Sequence, residues 1–195
     1  MYEILLPPVV EVLFKYLTLS DIFNFLATSS ESNEFSYYVY NNYKFKYSSI
    51  KDQSHDIKNQ IKNLIIDLNR NDLELNEFTN LKTVYIQHND FNSPLDFIPI
   101  TIKEIHVTSH LFNKQITDVF PKLQKLVIKS MSFNAEIEES LINRITDLSI
   151  DSPTYTKLKS SDGIKVKTLM TKVDISCHSI ESFPSLHTKE LEMIC

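Results

Sequence analysis

An apolar pattern that recurs about every 21 residues constrains the fold of this chain more than any other feature. In each copy an apolar residue is followed by two free positions, a second apolar residue, a free position and a third apolar residue. Four consecutive copies lie at 81–86, 102–107, 123–128 and 145–150. Ten residues after the start of each copy stands a bulky side chain: Phe91, Phe112, Phe133 and Tyr155. The alternation predicts strands with one buried face, and the constant spacing predicts copies that stack side by side.

Further copies flank these four. One begins at Ile61, and another begins at Met170 with Ile180 as its bulky residue. A last half-copy contains Leu191 and Met193, with no polar cap after it. We expect the strand of the Met170 copy to lie around 173–175 and to pair with a final strand at 189–194. Because nothing covers the outer side of that final strand, it should fray before the central strands do.

The first part of the chain has a helical period instead. The stretch 6–17 is apolar on nearly every side of a helix, which is typical of a helix buried in a core or covered by a partner. Pro7 and Pro8 suit a helix start, and Ser20 is expected to cap a second helix with Asp21 in its first turn. A third helix is predicted around Phe35. The predicted organisation is three helices in 1–47, a polar linker in 48–60 and the repeats in 61–195.

Composition argues against several classes of function. The net charge of -5 leaves no excess of Lys and Arg for phosphates, so nucleic acid is not an expected partner. No apolar run approaches the ~20 residues that span a bilayer, so no membrane partner is expected. The start of the chain lacks the basic region of a secretory signal, which predicts a cytoplasmic or nuclear location. The single glycine, Gly163, excludes glycine-rich phosphate loops and nucleophile elbows.

Candidate catalytic and metal-binding residues do not form a convincing pattern. His106 and His110 are four residues apart, but on a strand and its exit loop, so they do not share a helical face. Cys177 and His178 are adjacent, which does not suit a nucleophile and its base. A helical turn with solvated carboxylates is expected at Glu136, Glu138 and Glu139. We therefore expect no enzymatic activity, no cofactor and no metal.

The repeats resemble the FNIP subtype of leucine-rich repeats. The segments "FNSPL" at Phe91, "FNKQI" at Phe112 and "FNAEI" at Phe133 follow the theme F-N-x-P-I. The asparagine of the ordinary leucine-rich consensus is kept only at Asn69 and Asn89, so no unbroken ladder of that asparagine is expected. Solenoids of this class bind proteins on the open side of the sheet. The free strand positions there supply candidate client-binding residues: Tyr85, His106, Val127, Glu104 and Lys125.

The N-terminal segment resembles an F-box. The family pattern is matched by Leu6-Pro7, Tyr16-Leu17 and Asp21-Ile22. An F-box is a three-helix domain that binds a Skp-type adaptor, and the adaptor connects it to a cullin–RING ubiquitin ligase. The resemblance implies adaptor-binding residues on the first two helices: Leu6, Pro7, Val10, Leu13, Leu17, Ile22 and Phe25.

Together the two resemblances imply a fold and a function. The implied fold is α+β, with a three-helix F-box followed by a leucine-rich-repeat-like solenoid with a parallel β-sheet and about 21 residues per repeat. The implied function is substrate recognition in an SCF-type (Skp–cullin–F-box) E3 ubiquitin ligase. One alternative is a repeat scaffold with no ligase link, whose N-terminal helices only cap the solenoid. Another is a decoy that occupies the adaptor without delivering a client.

Overall fold

The computed structural model describes residues 12, 16–28, 32–68, 73, 75–151 and 168–171. Seven strands in this part of the chain form one parallel sheet, and their order in the sheet is their order in the sequence. The fold is therefore α+β, with short helices around a parallel sheet. Its elements are α1 Leu19–Thr28, α2 Ser32–Asn42, β1 Lys44–Lys46, α3 Tyr47–Ile50, α4 His55–Lys58, β2 Asn63–Ile66, β3 Thr83–Gln87, β4 Glu104–Thr108, β5 Lys125–Lys129, α5 Glu139–Arg144, β6 Asp147–Asp151 and β7 Thr168–Thr171.

The register of the central strands matches the repeat seen in the sequence. Val84 pairs with Ile105, Ile105 with Leu126, and Leu126 with Leu148. These residues and the second inner set, Ile86, Val107, Ile128 and Ile150, are at most 1% exposed. Successive residues of a strand point to opposite faces, so this register buries all the inner apolar residues on one side of the sheet. The predicted alignment of β3 to β6 is confirmed.

The phenylalanine residues that mark the repeats form a column in the core. Phe91, Phe112 and Phe133 are each fully buried. The Phe112 ring lies 5.8 Å from that of Phe91 and 5.7 Å from that of Phe133, with interplanar angles of 19° and 4°. Parallel rings at this separation pack favourably when they are offset. Their prediction as core residues is confirmed, whereas Tyr155 and Ile180 lie outside the described residues.

The asparagine that follows each phenylalanine links neighbouring copies. The side-chain oxygen of Asn92 accepts a hydrogen bond from the backbone N–H of Asn113 at 2.9 Å. The side-chain oxygen of Asn113 accepts one from the backbone N–H of Asn134 at 2.8 Å. A loop amide that no strand can pair is satisfied in this way. The ladder explains why the dipeptide Phe-Asn recurs, and it lies at a different position from the asparagine of the ordinary consensus.

Two buried serines make a second ladder at the ends of β4 and β5. The Ser109 hydroxyl donates to the carbonyl of Phe91 at 2.8 Å, and the Ser130 hydroxyl donates to that of Phe112 at 2.9 Å. The two serines are 1% and 4% exposed. Buried carbonyl groups need a donor, and these hydroxyls provide one from the next copy along the sheet.

The return segment before β6 contains the predicted helical turn. It forms α5, with Leu141 and Ile142 buried and the three glutamates 136, 138 and 139 exposed. The guanidinium group of Arg144 donates to the carbonyl of Phe120 at 2.8 Å and pairs with the Asp118 carboxylate. The predicted solvated carboxylates are confirmed, and Arg144 ties this turn to the preceding copy.

The segment 48–60, predicted as a linker, contains one short helix and most of another, and Ile50 is its only buried residue. The sheet begins with β1, which pairs with β2 through Phe45 and Leu64. The predicted linker contains α4 and most of α3, and Tyr47 and Ile50 of α3 are 3% and 0% exposed. A strand of three residues is too short to show a period, which is why the pattern did not reveal β1. The sheet therefore starts before the predicted boundary at residue 61.

The start of α1 also differs from the expectation. The helix begins at Leu19 and its cap is Thr18 rather than Ser20. The Thr18 hydroxyl accepts a hydrogen bond from the backbone N–H of Asp21 at 3.2 Å, and the Asp21 carboxylate accepts one from the Thr18 backbone N–H at 3.0 Å. This reciprocal pair is a capping box, which satisfies two amides that the helix leaves without partners. The Asp21 carboxylate accepts hydrogen bonds from the Thr18 hydroxyl and from the Thr18 backbone N–H, and these two bonds lower the pKa of Asp21.

The last described strand has a different register from the predicted one. Leu148 pairs with Leu169, not with Val173. The shift is four residues, and an even shift preserves the alternation of a strand pattern. The alternating pattern alone does not distinguish the two registers.

Several predicted elements lie outside the described residues. They are the segment 173–175, the predicted final strand at 189–194, and the predicted first helix at 6–17 apart from residues 12, 16 and 17. Among the described residues, no helix has the length and apolar character that crossing a membrane requires.

Candidate functional site: the open face of the sheet

The side of the sheet opposite the core presents every second strand residue; we call it the open face. Its middle row crosses the sheet from β2 to β6 through Ile65, Tyr85, His106, Val127 and Ser149. All five side chains are partly exposed, whereas their neighbours along each strand are buried. The strand alternation that fills the core thus also builds this row.

Two aromatic rings lie in contact at the centre of the middle row. Tyr85 and His106 are paired neighbours on β3 and β4, and their ring centroids are 4.6 Å apart with an interplanar angle of 26°. The ammonium group of Lys44, from β1, lies 4.0 Å from the centroid of the Tyr85 ring. Stacking and a cation–π contact therefore restrict the Tyr85 side chain before any partner binds.

The surroundings of His106 favour its neutral form. Burial lowers the pKa of His106, and the positive charges of Lys125 and Lys44 act in the same direction. The Glu104 carboxylate, whose Oε2 lies 3.5 Å from Nε2 of His106, acts in the opposite direction. Because burial is the largest of these effects and the usual value is already 6.5, the imidazole is mainly neutral at pH 7. It therefore acts as an aromatic surface group rather than a cation.

The structure brings all five predicted client-binding residues onto one face. Tyr85 lies on β3, Glu104 and His106 on β4, and Lys125 and Val127 on β5, which are consecutive strands. Glu104 and Lys125 are paired neighbours beside the middle row.

Lys44 is a further residue of this site that sequence reasoning missed. It was assigned to a helical segment, and only the alternation in Lys-Phe-Lys, with Phe45 buried and both lysines exposed, indicates a strand.

Besides Glu104 of β4, charged side chains lie beside the middle row in pairs of one sign on three strands. On either side of the row lie Lys125 and Lys129 of β5, and Asp147 and Asp151 of β6. At the sheet edge β1 also carries two positive charges, Lys44 and Lys46. The open face thus combines an aromatic and apolar centre with a charged surround, which is the composition of many protein interfaces.

The residues predicted to bind an adaptor have different surroundings. Leu17 is 37% exposed, and its neighbour Tyr16 is 84% exposed. Ile22, by contrast, is 1% exposed and belongs to the same core cluster as Phe45. In this structure α1 packs Ile22 into the chain's own core, and its contact with an adaptor stays a prediction. Phe25 lies on α1, but its side chain is outside the described residues, as are Leu6, Pro7, Val10 and Leu13.

No group of three or more His, Cys, Asp or Glu side chains in the described part of the chain is placed to hold a metal ion. His106 is on β4 and His110 is exposed in the loop after it, as predicted. His88 has a buried Nδ1 without a hydrogen-bond partner, but its side chain is partly exposed. Cys177 and His178 lie outside the described residues.

The chemistry that the open face offers is recognition through a preorganised surface. Tyr85 is a large side chain with few rotatable bonds, and such residues carry much of the free energy of protein interfaces. The imidazole of His106 and the ammonium group of Lys44 contact the Tyr85 ring and hold it in place.

No protein-family model, no curated protein and no solved structure matches this chain.

Proposed function

We propose that this chain is a non-enzymatic substrate-recognition subunit of an SCF-type E3 ubiquitin ligase. In this proposal the open face binds a client protein and the N-terminal helices bind a Skp-type adaptor. The observation that carries the proposal is the open face itself. It is a continuous surface built by repeated strands, with an aromatic and apolar centre and charged flanks. The proposed architecture is an F-box followed by a leucine-rich-repeat-like solenoid, and the strands paired in chain order support it.

The proposed mechanism is proximity. A client held on the sheet and an adaptor held at the N-terminal helices are joined through one continuous hydrophobic core, so the client is kept at high effective concentration near the ubiquitin donor. No catalytic side chain in this chain is needed for that role. Ligases of this type act in the cytoplasm or the nucleus, and we place the protein there in this proposal.

Adaptor binding is tested with a surface leucine that is accessible in the structure. Leu17→Asp places a charge where an apolar contact is proposed, and Leu17 is 37% exposed. We expect this variant to lose co-purification with a Skp-type adaptor, because burying an apolar side chain of this size is worth about 1.5–3 kcal/mol. The matched control is Ile100→Asp, since Ile100 is 62% exposed and far from α1 in the sequence.

The outcomes separate the proposal from its alternatives. Loss of adaptor binding in the Leu17 variant, with retention in the Ile100 variant, supports the F-box assignment. If the wild-type chain does not retain the adaptor at all, the ligase link fails.

Client binding is tested on the open face. Tyr85→Ala removes the central ring, and Tyr37→Ala is the matched control because Tyr37 is 71% exposed on α2. We expect proteins captured by the wild-type chain to be lost with Tyr85→Ala and retained with Tyr37→Ala. In a reconstituted ligase that contains the wild-type chain, the captured proteins should be ubiquitinated. Adaptor binding without any such ubiquitination would favour the decoy hypothesis.

One observation favours the scaffold alternative. Ile22 of α1 and Val39 of α2 belong to the same core cluster as Phe45 of β1. The Phe23 ring is parallel to that of Phe45, with centroids 6.2 Å apart. Helices that cover the first strand can act as a cap, which repeat proteins require at their ends. If the chain binds clients through Tyr85 but never binds the adaptor, capping the sheet is sufficient to explain the N-terminal helices.

A further inference from the structure

The middle row of the open face has a regular spacing that restricts what can bind along it. Four neighbouring strands contribute an apolar or aromatic side chain to it: Ile65, Tyr85, His106 and Val127. Strands in a sheet are about 4.8 Å apart, so the row advances ~14 Å across these four strands. A partner that contacts every strand must therefore present an apolar group at about this interval.

An extended peptide does not have the required spacing. Side chains on one side of a strand recur every two residues, or about 6.7 Å, whereas neighbouring strands of the sheet are about 4.8 Å apart. The second side chain of the peptide would therefore already lie ~2 Å beyond the second position of the row. An α-helix advances about 5.4 Å per turn and can present one apolar residue per turn. Three turns advance ~16 Å, so the accumulated difference over the whole row is only about 2 Å. Of these two backbone forms, the helix fits the row.

Charges on the first and the sixth strand define a direction. Lys44 and Lys46 make β1 positive, and Asp147 and Asp151 make β6 negative. A helix carries a partial positive charge at its N-terminus and a partial negative charge at its C-terminus. The favourable orientation therefore places the N-terminus of a bound helix over β6 and its C-terminus over β1.

The distance between β1 and β6 sets the length of the helix. Five strand intervals separate β1 from β6, which corresponds to ~24 Å at the usual strand spacing. At 1.5 Å per residue, a helix of about 16 residues spans that distance. Lys125 and Lys129 lie on both sides of Val127, one strand from β6. Acidic residues on both flanks of the helix would meet them about one turn after its start.

We infer that the client segment is an amphipathic helix of about 16 residues, with an apolar stripe, acidic flanks near its second turn and its N-terminus over β6. This inference rests on the proposed function only in taking the open face as the client site. The neutral state of His106 is consistent with it, because a cation in the middle of an apolar stripe would oppose binding.

The experiment uses synthetic peptides as probes with the full chain. The first is a stapled helix with leucines at helical spacing, basic residues in its first turn, and acidic residues in its second and last turns. The second has the same composition rearranged to alternate as a strand, and the third is the first with all its charges reversed. Binding is measured by fluorescence anisotropy. We expect the first peptide to bind at least about tenfold more tightly than the others, which corresponds to ~1.4 kcal/mol.

Variants of the chain test the orientation. Asp147→Lys with Asp151→Lys should weaken the first peptide about tenfold and strengthen the third. The control, Glu136→Lys with Glu139→Lys, changes charge by the same amount away from the open face and should leave both affinities unchanged. Circular dichroism establishes that each variant is folded.

The inference is overturned if the first peptide does not bind or if the strand-patterned peptide binds equally well. The predicted direction is wrong if the aspartate variants do not alter the charge preference. The proposed function has separate measurements, namely adaptor co-purification and the capture of clients through Tyr85. If those succeed while the helical peptide fails, only the helical form of the client is rejected.

Discussion

Replacing Phe112 by alanine tests whether the phenylalanine column holds the repeats together. The Phe112 side chain is fully buried, with a parallel ring on each side at 5.8 and 5.7 Å. Removing such a ring typically costs about 3–5 kcal/mol, because apolar surface is lost and the cavity collapses only partly. In a chain of this size each kcal/mol lowers the melting temperature by about 2–4 °C. The expected decrease is therefore ~6–20 °C.

The assay is urea and thermal unfolding followed by circular dichroism, with Leu111→Ala as the control. Leu111 precedes Phe112 in the chain but is 48% exposed, so its truncation should change stability by no more than about 0.5 kcal/mol. Phe112→Leu is a second variant, which keeps an apolar side chain without the stacked ring. It should be less destabilising than Phe112→Ala.

A double-mutant cycle with Phe133 identifies the source of the effect. Adjacent aromatic rings in the column should show a coupling of about 0.5–1.5 kcal/mol beyond their separate contributions. The reasoning is refuted if Phe112→Ala melts within a degree or two of the wild type, or no lower than the Leu111 control. A client-binding defect without loss of stability would instead place Phe112 in an interface.

Three further predictions concern the ladders and the open face. Asn113→Ala should reduce the free energy of unfolding by about 0.5–1.5 kcal/mol in urea titrations, because the acceptor for the next backbone amide is lost, whereas Asn113→Asp should retain it. Ser130→Ala should cost about 1–3 kcal/mol in the same assay, since it leaves a buried carbonyl without its donor; an unchanged midpoint would contradict that role. NMR titration should give His106 a pKa below 6.5. The folded state then binds fewer protons than the unfolded state between that pKa and 6.5, so stability should rise with pH through this window, and His106→Phe should remove the rise.

The strands and the core were predictable because they depend on local patterns that repeat. Alternation along each copy specifies which residues face inward, and the spacing of 21 residues from Phe91 to Phe112 specifies how copies align. Both were correct for β3 to β6. β1 escaped detection because three residues contain too little periodicity. The register of β7 was wrong because a shift of four residues preserves the alternation.

The candidate site was predictable in its membership but not in its contacts. Tyr85 and His106 occupy equivalent positions of two copies, so their common face followed from the amino-acid pattern alone. The Lys44 contact did not, because that lysine is 41 residues from Tyr85 and belongs to a strand without a clear signal. The burial of Ile22 was likewise not visible in the sequence. An apolar helix side chain can face its own core or a partner, and only the packing of α1 near Phe45 distinguishes the two.

Some features are determined by the residues of a single strand, whereas others depend on which strands lie beside it. Which side of a strand is buried is a property of its own residues, since backbone geometry alternates the side chains whatever lies beside them. For the repeated strands β3 to β6 the constant spacing also predicted which strands are neighbours. The place of β1 beside β2 depends instead on how the chain returns to the sheet, because backbone hydrogen bonds between strands do not depend on side-chain identity. The cation over Tyr85 and the positive charge of β1 on the open face arise from that second kind of adjacency.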